Sequence, residues 1–350
     1  MSLSQFELLR AQRIVQDVAL DRLQLDLRGV HVVTEAATGP FAVTASIAAV
    51  AGARVTAVAA DSQWGSFEEA SRETIATAKE CGAADRIQVV RRDRVDFADA
   101  QIVTNLGFVR PIDSKIISQM GFGSVIPLMY DSRELRQTEI DLELCAARGI
   151  AVIGTNEDHP LVDVLRHSGH LVLKMLFESG IEVLRSRVCL LGENLFTPHV
   201  ARTLQGLGAE VIRCRDWRDC LEAGGKLDAL VYLDYWNTSG QIDSVKVGHW
   251  LKLNSGASLI QFVGGLDIEP FRTAGWAVRP ESAIQPQRMW RTLADLGIRP
   301  VIELHTAGLK AAEMELRGVP HDTPGRLCGL RQAIDLAPRW IPISPVRETA

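Results

Sequence analysis

The segment Val188-Cys-Leu-Leu-Gly192-Glu-Asn194-Leu-Phe-Thr197-Pro-His-Val-Ala-Arg-Thr-Leu-Gln-Gly-Leu-Gly208-Ala-Glu-Val-Ile-Arg-Cys-Arg215 carries the most information in the chain. An apolar run enters a glycine turn, a helix-length periodic stretch follows, and Gly208 ends it before a second apolar run. Strand, turn, helix and strand in this order form a dinucleotide-type unit, in which glycines let the backbone approach a pyrophosphate at a helix N-terminus. The G-x-G-x-x-G spacing is incomplete. Gly192 stands, Asn194 takes the second glycine's place and Thr197 the third. Asparagine accepts positive φ better than most residues, but its side chain occupies space. At the end of the second strand, where an acid would hold a ribose hydroxyl, stands Arg215. It either receives a 2′-phosphate or marks a turn kept for the fold alone. NAD or NADP at Gly192, Asn194, Thr197 and Arg215 is therefore one expectation, and a Rossmann-like turn without a dinucleotide is the other.

The same alternation extends in both directions. Strands are predicted at Val30–Thr34, Arg54–Ala59, Ile87–Val90, Gln101–Thr104, Ser124–Met129 and Ile150–Ile153. A second series follows at Arg187–Leu191, Glu210–Arg213, Ala229–Leu233, Ser258–Phe262, Trp276–Val278 and Pro300–Leu304. Helical periodicity lies between them, as in Phe67–Cys81, Ile140–Arg148, Leu161–Glu178 and His199–Leu207. Such alternation implies parallel sheets with right-handed crossovers. The fold class is thus α/β, with two Rossmann-like, doubly wound domains and a cleft between them. The expected division is a substrate domain over 1–158, joined by the C-terminal segment 309–350, and a dinucleotide-type domain over 159–308. Further helices are expected at Lys310–Leu316 and Arg326–Leu336.

Composition narrows the function. The 350 residues carry a net charge of −5 and are 47% hydrophobic. That excludes a disordered chain and disfavours nucleic acid as a partner, because phosphate contact needs a basic face. The apolar stretch Phe41–Ala60 is broken by Gly52 and Arg54, so no membrane span is expected. The six cysteines form no C-x-x-C pair and no metal-ligand spacing; no metal is expected, and Cys189 reads as a small core residue. A reducing cytoplasm is the default location.

Four segments carry a resemblance: Ile140–Asn156 (I-D-L-E-L-C-A-A-R-G-I-A-V-I-G-T-N), Leu161–Phe177, Leu230–Gly265, and Pro300-Val-Ile-Glu-Leu-His305-Thr-Ala-Gly308. The chain resembles the D-isomer-specific 2-hydroxyacid dehydrogenase superfamily, which includes formate and glycerate dehydrogenases, and more distantly the S-adenosylhomocysteine hydrolases. The resemblance implies an oxidoreductase that uses a nicotinamide cofactor on a small molecule, assembled as a homodimer. It implies that His305 is the acid/base and Glu281 its carboxylate partner. The residues by themselves leave a buried histidine ending a strand, and a solvated loop carboxylate, as the other possibilities. Gly264 stands where the family places its substrate-clamping arginine, a departure that removes a bidentate anion contact. Tyr235, with Trp236, falls where the family lines its nicotinamide site, either filling that volume or stacking on a ligand. Tyr130 and Arg133 precede the Ile140 segment and are expected on the substrate side, Arg133 as a replacement clamp or as a surface arginine paired with its acidic neighbours.

The departures at Asn194, Thr197, Arg215 and Gly264 point to altered cofactor use or chemistry, in a specialised biosynthetic role. Two other readings stand beside this one. One is a non-redox or non-catalytic Rossmann-like protein that has lost standard dinucleotide binding. The other is an S-adenosylmethionine-dependent methyltransferase working through the first domain, with Gly39 in its loop and Asp61 after its second strand.

Overall fold

A computed structural model describes residues 3–130, 135, 138–236, 244–319 and 328–330. Along the chain come α1 (Gln5–Val15), β1 (His31–Glu35), α2 (Thr44–Val50), β2 (Arg54–Ala59), α3 (Phe67–Glu80), β3 (Ile87–Arg91) and β4 (Ile102–Val103). Then follow α4 (Ser114–Gln119), β5 (Val125–Pro127), α5 (Leu142–Ala147), β6 (Ala151–Thr155), α6 (His167–Glu178), β7 (Arg187–Leu191), α7 (Thr197–Gly206) and β8 (Glu210–Cys214). The last described elements are α8 (Trp217–Glu222), β9 (Ala229–Tyr232), α9 (Ser244–Leu253), β10 (Ser258–Gln261), α10 (Glu269–Thr273), β11 (Ala277–Arg279), α11 (Ile298–Leu316) and β12 (Cys328–Leu330). It divides into two compact units, residues 1–164 with 297–350, and residues 165–296.

In unit 1 the strand order is β3-β2-β1-β4-β5-β6-β12. The first six strands are parallel, and β12 adds antiparallel to β6. Every residue of β1 is buried, as expected where helices cover both faces of a parallel sheet. Val33, Val103, Ile126 and Leu128 meet Val109, Ile112, Ile117 and Met120 in one apolar cluster. Capping boxes start α1 (Ser4 with Glu7) and α3 (Ser66 with Glu69), satisfying amides that have no partner within the helix. The order of β3 through β6 reverses direction between β1 and β4. In open α/β sheets ligands bind at such a reversal, beyond the carboxyl ends of the strands.

Unit 2 is a five-stranded parallel sheet of order β11-β10-β9-β7-β8, reversing between β7 and β9. Its core joins Leu190, Val200 and Leu204 to Trp217, Tyr232, Phe262 and Phe271. Both units therefore have the parallel α/β architecture that the alternation predicts. Among the described residues no helix is long and apolar enough to cross a membrane.

Two expected elements are corrected. The strand predicted at Pro300–Leu304 is part of the 19-residue helix α11. A short apolar run cannot by itself distinguish a buried strand from a buried helix. Here burial continues through Ala307, Gly308, Leu309, Ala311 and Ala312, far beyond strand length. Within Arg326–Leu336, where a helix was predicted, Cys328–Leu330 form β12 instead, while the remainder of that stretch lies outside the described residues. The free edge of β6 offers ladder groups that a passing segment can pair with.

Candidate functional site

The glycine loop of unit 2 sits at that unit's reversal point. Gly192 has φ +109°, and a Cβ there would lie 2.6 Å from the Asp234 amide nitrogen and 2.7 Å from its Cα. Only glycine allows β7 to turn this close to the segment that follows β9. Asn194 then bridges the two loops. Its Nδ2 donates to the Leu233 carbonyl, and its Oδ1 accepts from the Phe196 amide at 2.9 Å. The Asn194 amide in turn donates to Thr197 Oγ1 at 3.3 Å, while that hydroxyl donates to the Gly192 carbonyl at 2.6 Å. Thr197 is fully buried, and Pro198 leaves the first turn of α7 one donor short.

A pyrophosphate needs loop amides aimed outward at a helix N-terminus. In this loop the amides of Asn194 and Phe196 are already taken by side chains of the loop itself. As folded, these two amides are not free to receive a dinucleotide. Tyr235 is buried, with its ring centroid 6.4 Å from Phe196 and 4.8 Å from Trp236. It thus fills volume beside the loop. Arg215, largely exposed, holds Asp219 through its backbone amide at 2.9 Å and its Nε at 3.2 Å. Gly264 shows why no arginine stands there. A Cβ would fall 2.2 Å from the Gln285 carbonyl oxygen and 2.3 Å from that of Ile284. Backbone crosses the space that a clamp would need.

The expected acid/base pair falls in separate units. His305 lies on α11 in unit 1, 1% exposed, with Nδ1 2.7 Å from Thr44 Oγ1 and its ring 6.0 Å from that of Phe41. Burial pushes the imidazole down to about 4, so it is neutral at pH 7. Glu281 belongs to unit 2, where its exposed carboxylate pairs with Arg279 at 3.2 Å. The methyltransferase residues are also engaged. The Gly39 amide donates to Glu73 Oε2 at 2.8 Å, and Asp61 pairs with Arg91 at 3.0 Å.

The reversal point of unit 1 is different. Two strands end alike, Val32-Val-Thr-Glu35 and Ile102-Val-Thr-Asn105. Val33 pairs with Val103, and Thr104 Oγ1 donates to Thr34 Oγ1 at 2.8 Å. Glu35 closes β1, and Asn105 lies two residues beyond the end of β4. Asn105 is fully buried; its Oδ1 accepts from the Met129 amide at 2.9 Å, but Nδ2 has no partner. Glu35 is 8% exposed, and its buried Oε1 has none either. Its side chain lies across Gly107, where a Cβ would meet Oε2 at 2.5 Å. Burial raises the Glu35 carboxyl to about 7, against a smaller downward pull from Arg110. Arg110 pairs with Glu139 at 3.0 Å, and Tyr130 donates a short hydrogen bond to the other oxygen of that carboxylate. Tyr130 is thereby joined to this corner; Arg133 lies outside the described residues. Two shallow hollows of unit 1, each about 390 Å³, are lined elsewhere, one by residues such as Gln12 and Cys81, the other by Gly123 and Glu315.

The sequence reading missed Glu35 and Asn105. The available signal was the repeated apolar-apolar-Thr-polar ending on two strands, since a polar side chain closing a wholly buried strand needs a partner.

No family model and no curated protein matches the sequence. Solved structures do match the fold. A dipicolinate synthase chain from Bacillus subtilis aligns over 85% of this protein and 99% of its own length, with TM-score 0.52 and 11% identity. The corresponding dipicolinate synthase chain from Bacillus halodurans aligns over 84% and 100%, with TM-score 0.50 and 14% identity. A protein described as an NAD-binding D-isomer specific 2-hydroxyacid dehydrogenase, from Polaromonas sp. JS6 66, aligns over 70% and 95%, with TM-score 0.46 and 14% identity. At these identities what is shared is the fold: the protein has the two-unit parallel-sheet architecture of the dipicolinate synthase chains.

Proposed function

We propose that this oxidoreductase-like chain is a small-molecule enzyme of specialised biosynthesis whose acid–base chemistry resides at Glu35 in unit 1. The observation that carries this reading is that Glu35 Oε1 and Asn105 Nδ2, at the ends of the two strands that flank the reversal of strand order, are each buried without a partner. An orphaned buried polar group costs about 1–3 kcal/mol and calls for a partner. A ligand with one acceptor and one donor or exchangeable proton supplies both. A carboxyl held to about 7 exchanges a proton most effectively near neutral pH. Asn105 would donate to a carbonyl or carboxylate oxygen, and Arg110 would contribute positive field. Dipicolinate synthase, which shares the fold, is named for a small dicarboxylate product, and a compact oxo- or hydroxy-acid suits this donor set.

The test is thermal-shift screening of small oxo-, hydroxy- and dicarboxylic acids against the full chain, Glu35→Gln and Asn105→Ala. A stabilising acid whose effect is lost in both variants supports the reading. If every stabilising compound acts equally on all three proteins, the reading fails.

A second reading keeps NAD or NADP at Gly192–Thr197. It is favoured by the strand–turn–helix layout and by the φ of +109° at Gly192, and it requires the Asn194 carboxamide to leave Leu233. Saturable quenching of the seven tryptophans by NADH or NADPH would support it.

A further inference from the structure

Unit 2 holds a second convergence of reactive groups, buried in its core and independent of the reading above. Cys189 lies on β7, Cys214 ends β8 and Cys220 lies on α8. In the register of β7 with β8, Cys189 faces Ile212 and Leu191 faces Cys214, so the two cysteines are diagonal neighbours. α8, capped by Asp216, folds back and brings Cys220 to the same point. Cys189 Sγ is 3.4 Å from Cys214 Sγ and 3.6 Å from Cys220 Sγ, and all three lie within 4.8 Å of one another. Each cysteine is 1% exposed. Among the described residues no imidazole or carboxylate completes the group.

Sulfur atoms bound to one ion at about 2.3 Å stand roughly 3.5–4 Å apart. The observed separations are close to that spacing before any ion is present. An all-sulfur set selects soft ions over those that prefer oxygen or nitrogen. Zinc in a closed structural site takes four ligands, one more than this group offers. Charge narrows the choice further. Three thiolates carry three negative charges, and an uncompensated charge in an apolar core is costly. Only a trivalent ion leaves the complex neutral.

We propose that Cys189, Cys214 and Cys220 form a three-coordinate site for a soft trivalent ion, with arsenic(III) as its probe. Arsenous acid would form three As–S bonds. Each thiol proton leaves with one arsenic-bound hydroxide as water, three waters in all, and arsenic stays in the +3 state.

The reduced full chain is incubated with arsenite until no further change. The expected results are one arsenic per chain, a native mass increased by one arsenic less three protons, and a raised melting temperature. Alanine at any of Cys189, Cys214 or Cys220 should weaken binding by at least about 100-fold, a scale already reached by groups that only support metal ligands. Cys145→Ala, in unit 1, should leave it unchanged. If the alanine variants do not fold, the native mass of the unaltered chain decides, because attachment through two sulfurs leaves a hydroxyl on arsenic and a different mass. A two-sulfur mass, binding that survives Cys214→Ala, absence of binding at excess arsenite, or binding of copper(I) with arsenite inert would each overturn the proposal.

Discussion

The two reversal points share a backbone plan and differ in how their polar groups are settled. In unit 2, Asn194 and Thr197 take up the amides of Phe196 and Asn194, and Asn194 ties the segments after β7 and β9 together. In unit 1, Glu35 ends β1 and Asn105 follows β4, and each keeps a buried polar atom without a partner. A sheet reversal opens a place for a ligand but does not reserve it. Side chains that satisfy one another close the place, and buried side chains left unsatisfied keep a demand there. A closed loop also stabilises its unit, whereas an unsatisfied pair costs stability. The two corners should therefore respond differently to the same perturbations.

The largest difference is expected from adding one methyl group at each corner. Gly192→Ala places a Cβ against the backbone of Asp234 at φ +109°, and neither side can yield. Strain and overpacking together should cost about 3–4 kcal/mol. Gly107→Ala, at φ +44°, meets the Glu35 carboxylate, whose end can rotate, and the Glu35 Cβ at 3.0 Å, which must give by a few tenths of an ångström. Its cost should be about 1–2 kcal/mol, the ordinary left-handed penalty. Urea unfolding of the two variants measures both. Equal losses would mean that the unit 1 corner is as tightly closed as that of unit 2.

Next comes pH. The Glu35 carboxyl is raised to about 7 in the folded chain from 4.5. The folded state then binds more protons than the unfolded one between those values, so stability falls as pH rises through that window, by about 3 kcal/mol in all. His305 is lowered from 6.5 to about 4. Here the unfolded state binds more protons, so stability is full above 6.5 and is lost as pH falls toward 4, again by about 3 kcal/mol. Between pH 4.5 and 6.5 the two slopes oppose each other. Glu35→Gln should therefore steepen the loss of stability on acidification and make the chain more stable than wild type at pH 8. His305→Gln should expose the opposite slope. Chemical unfolding at pH 5, 6, 7 and 8 reads both, and a Glu35→Gln curve parallel to wild type would show that the carboxyl is not held neutral by burial.

Much of this architecture is legible in the chain. The run from Val188 to Arg215 states its own strand, turn and helix, and β7 is found over Arg187–Leu191 as read. The glycine loop's incompleteness was legible too, but its consequence was not. That Asn194 reaches the Leu233 carbonyl, 39 positions on, depends on which strands are neighbours. α11 is missed because the short apolar run at Pro300–Leu304 does not by itself separate a buried helix from a strand, although Arg299, Glu303, Lys310 and Glu313 recur at helical spacing and pair along the helix. Cys189, Cys214 and Cys220 match no ligand spacing because strand pairing, not sequence proximity, assembles them. Glu35 and Asn105 announce themselves only when the two strand endings are set next to each other.

The smallest effect bears most directly on the sealed corner. Asn194→Gly removes the bridge to Leu233 and the acceptor for the Phe196 amide. Two hydrogen bonds of ordinary strength and the added backbone freedom should cost about 1–2 kcal/mol. The same change restores the second glycine of the G-x-G spacing and releases a loop amide toward the N-terminus of α7. If the side chain is what excludes a pyrophosphate, NADH should quench tryptophan fluorescence saturably in the variant and not in the parent chain. Quenching in both proteins alike would show that the carboxamide yields to the ligand, and the two reversal points would then differ only in the unbound state. Silence in both would place the obstruction deeper, at the buried Tyr235 and Phe196 rings, which Tyr235→Ala in the Asn194→Gly background would then have to relieve.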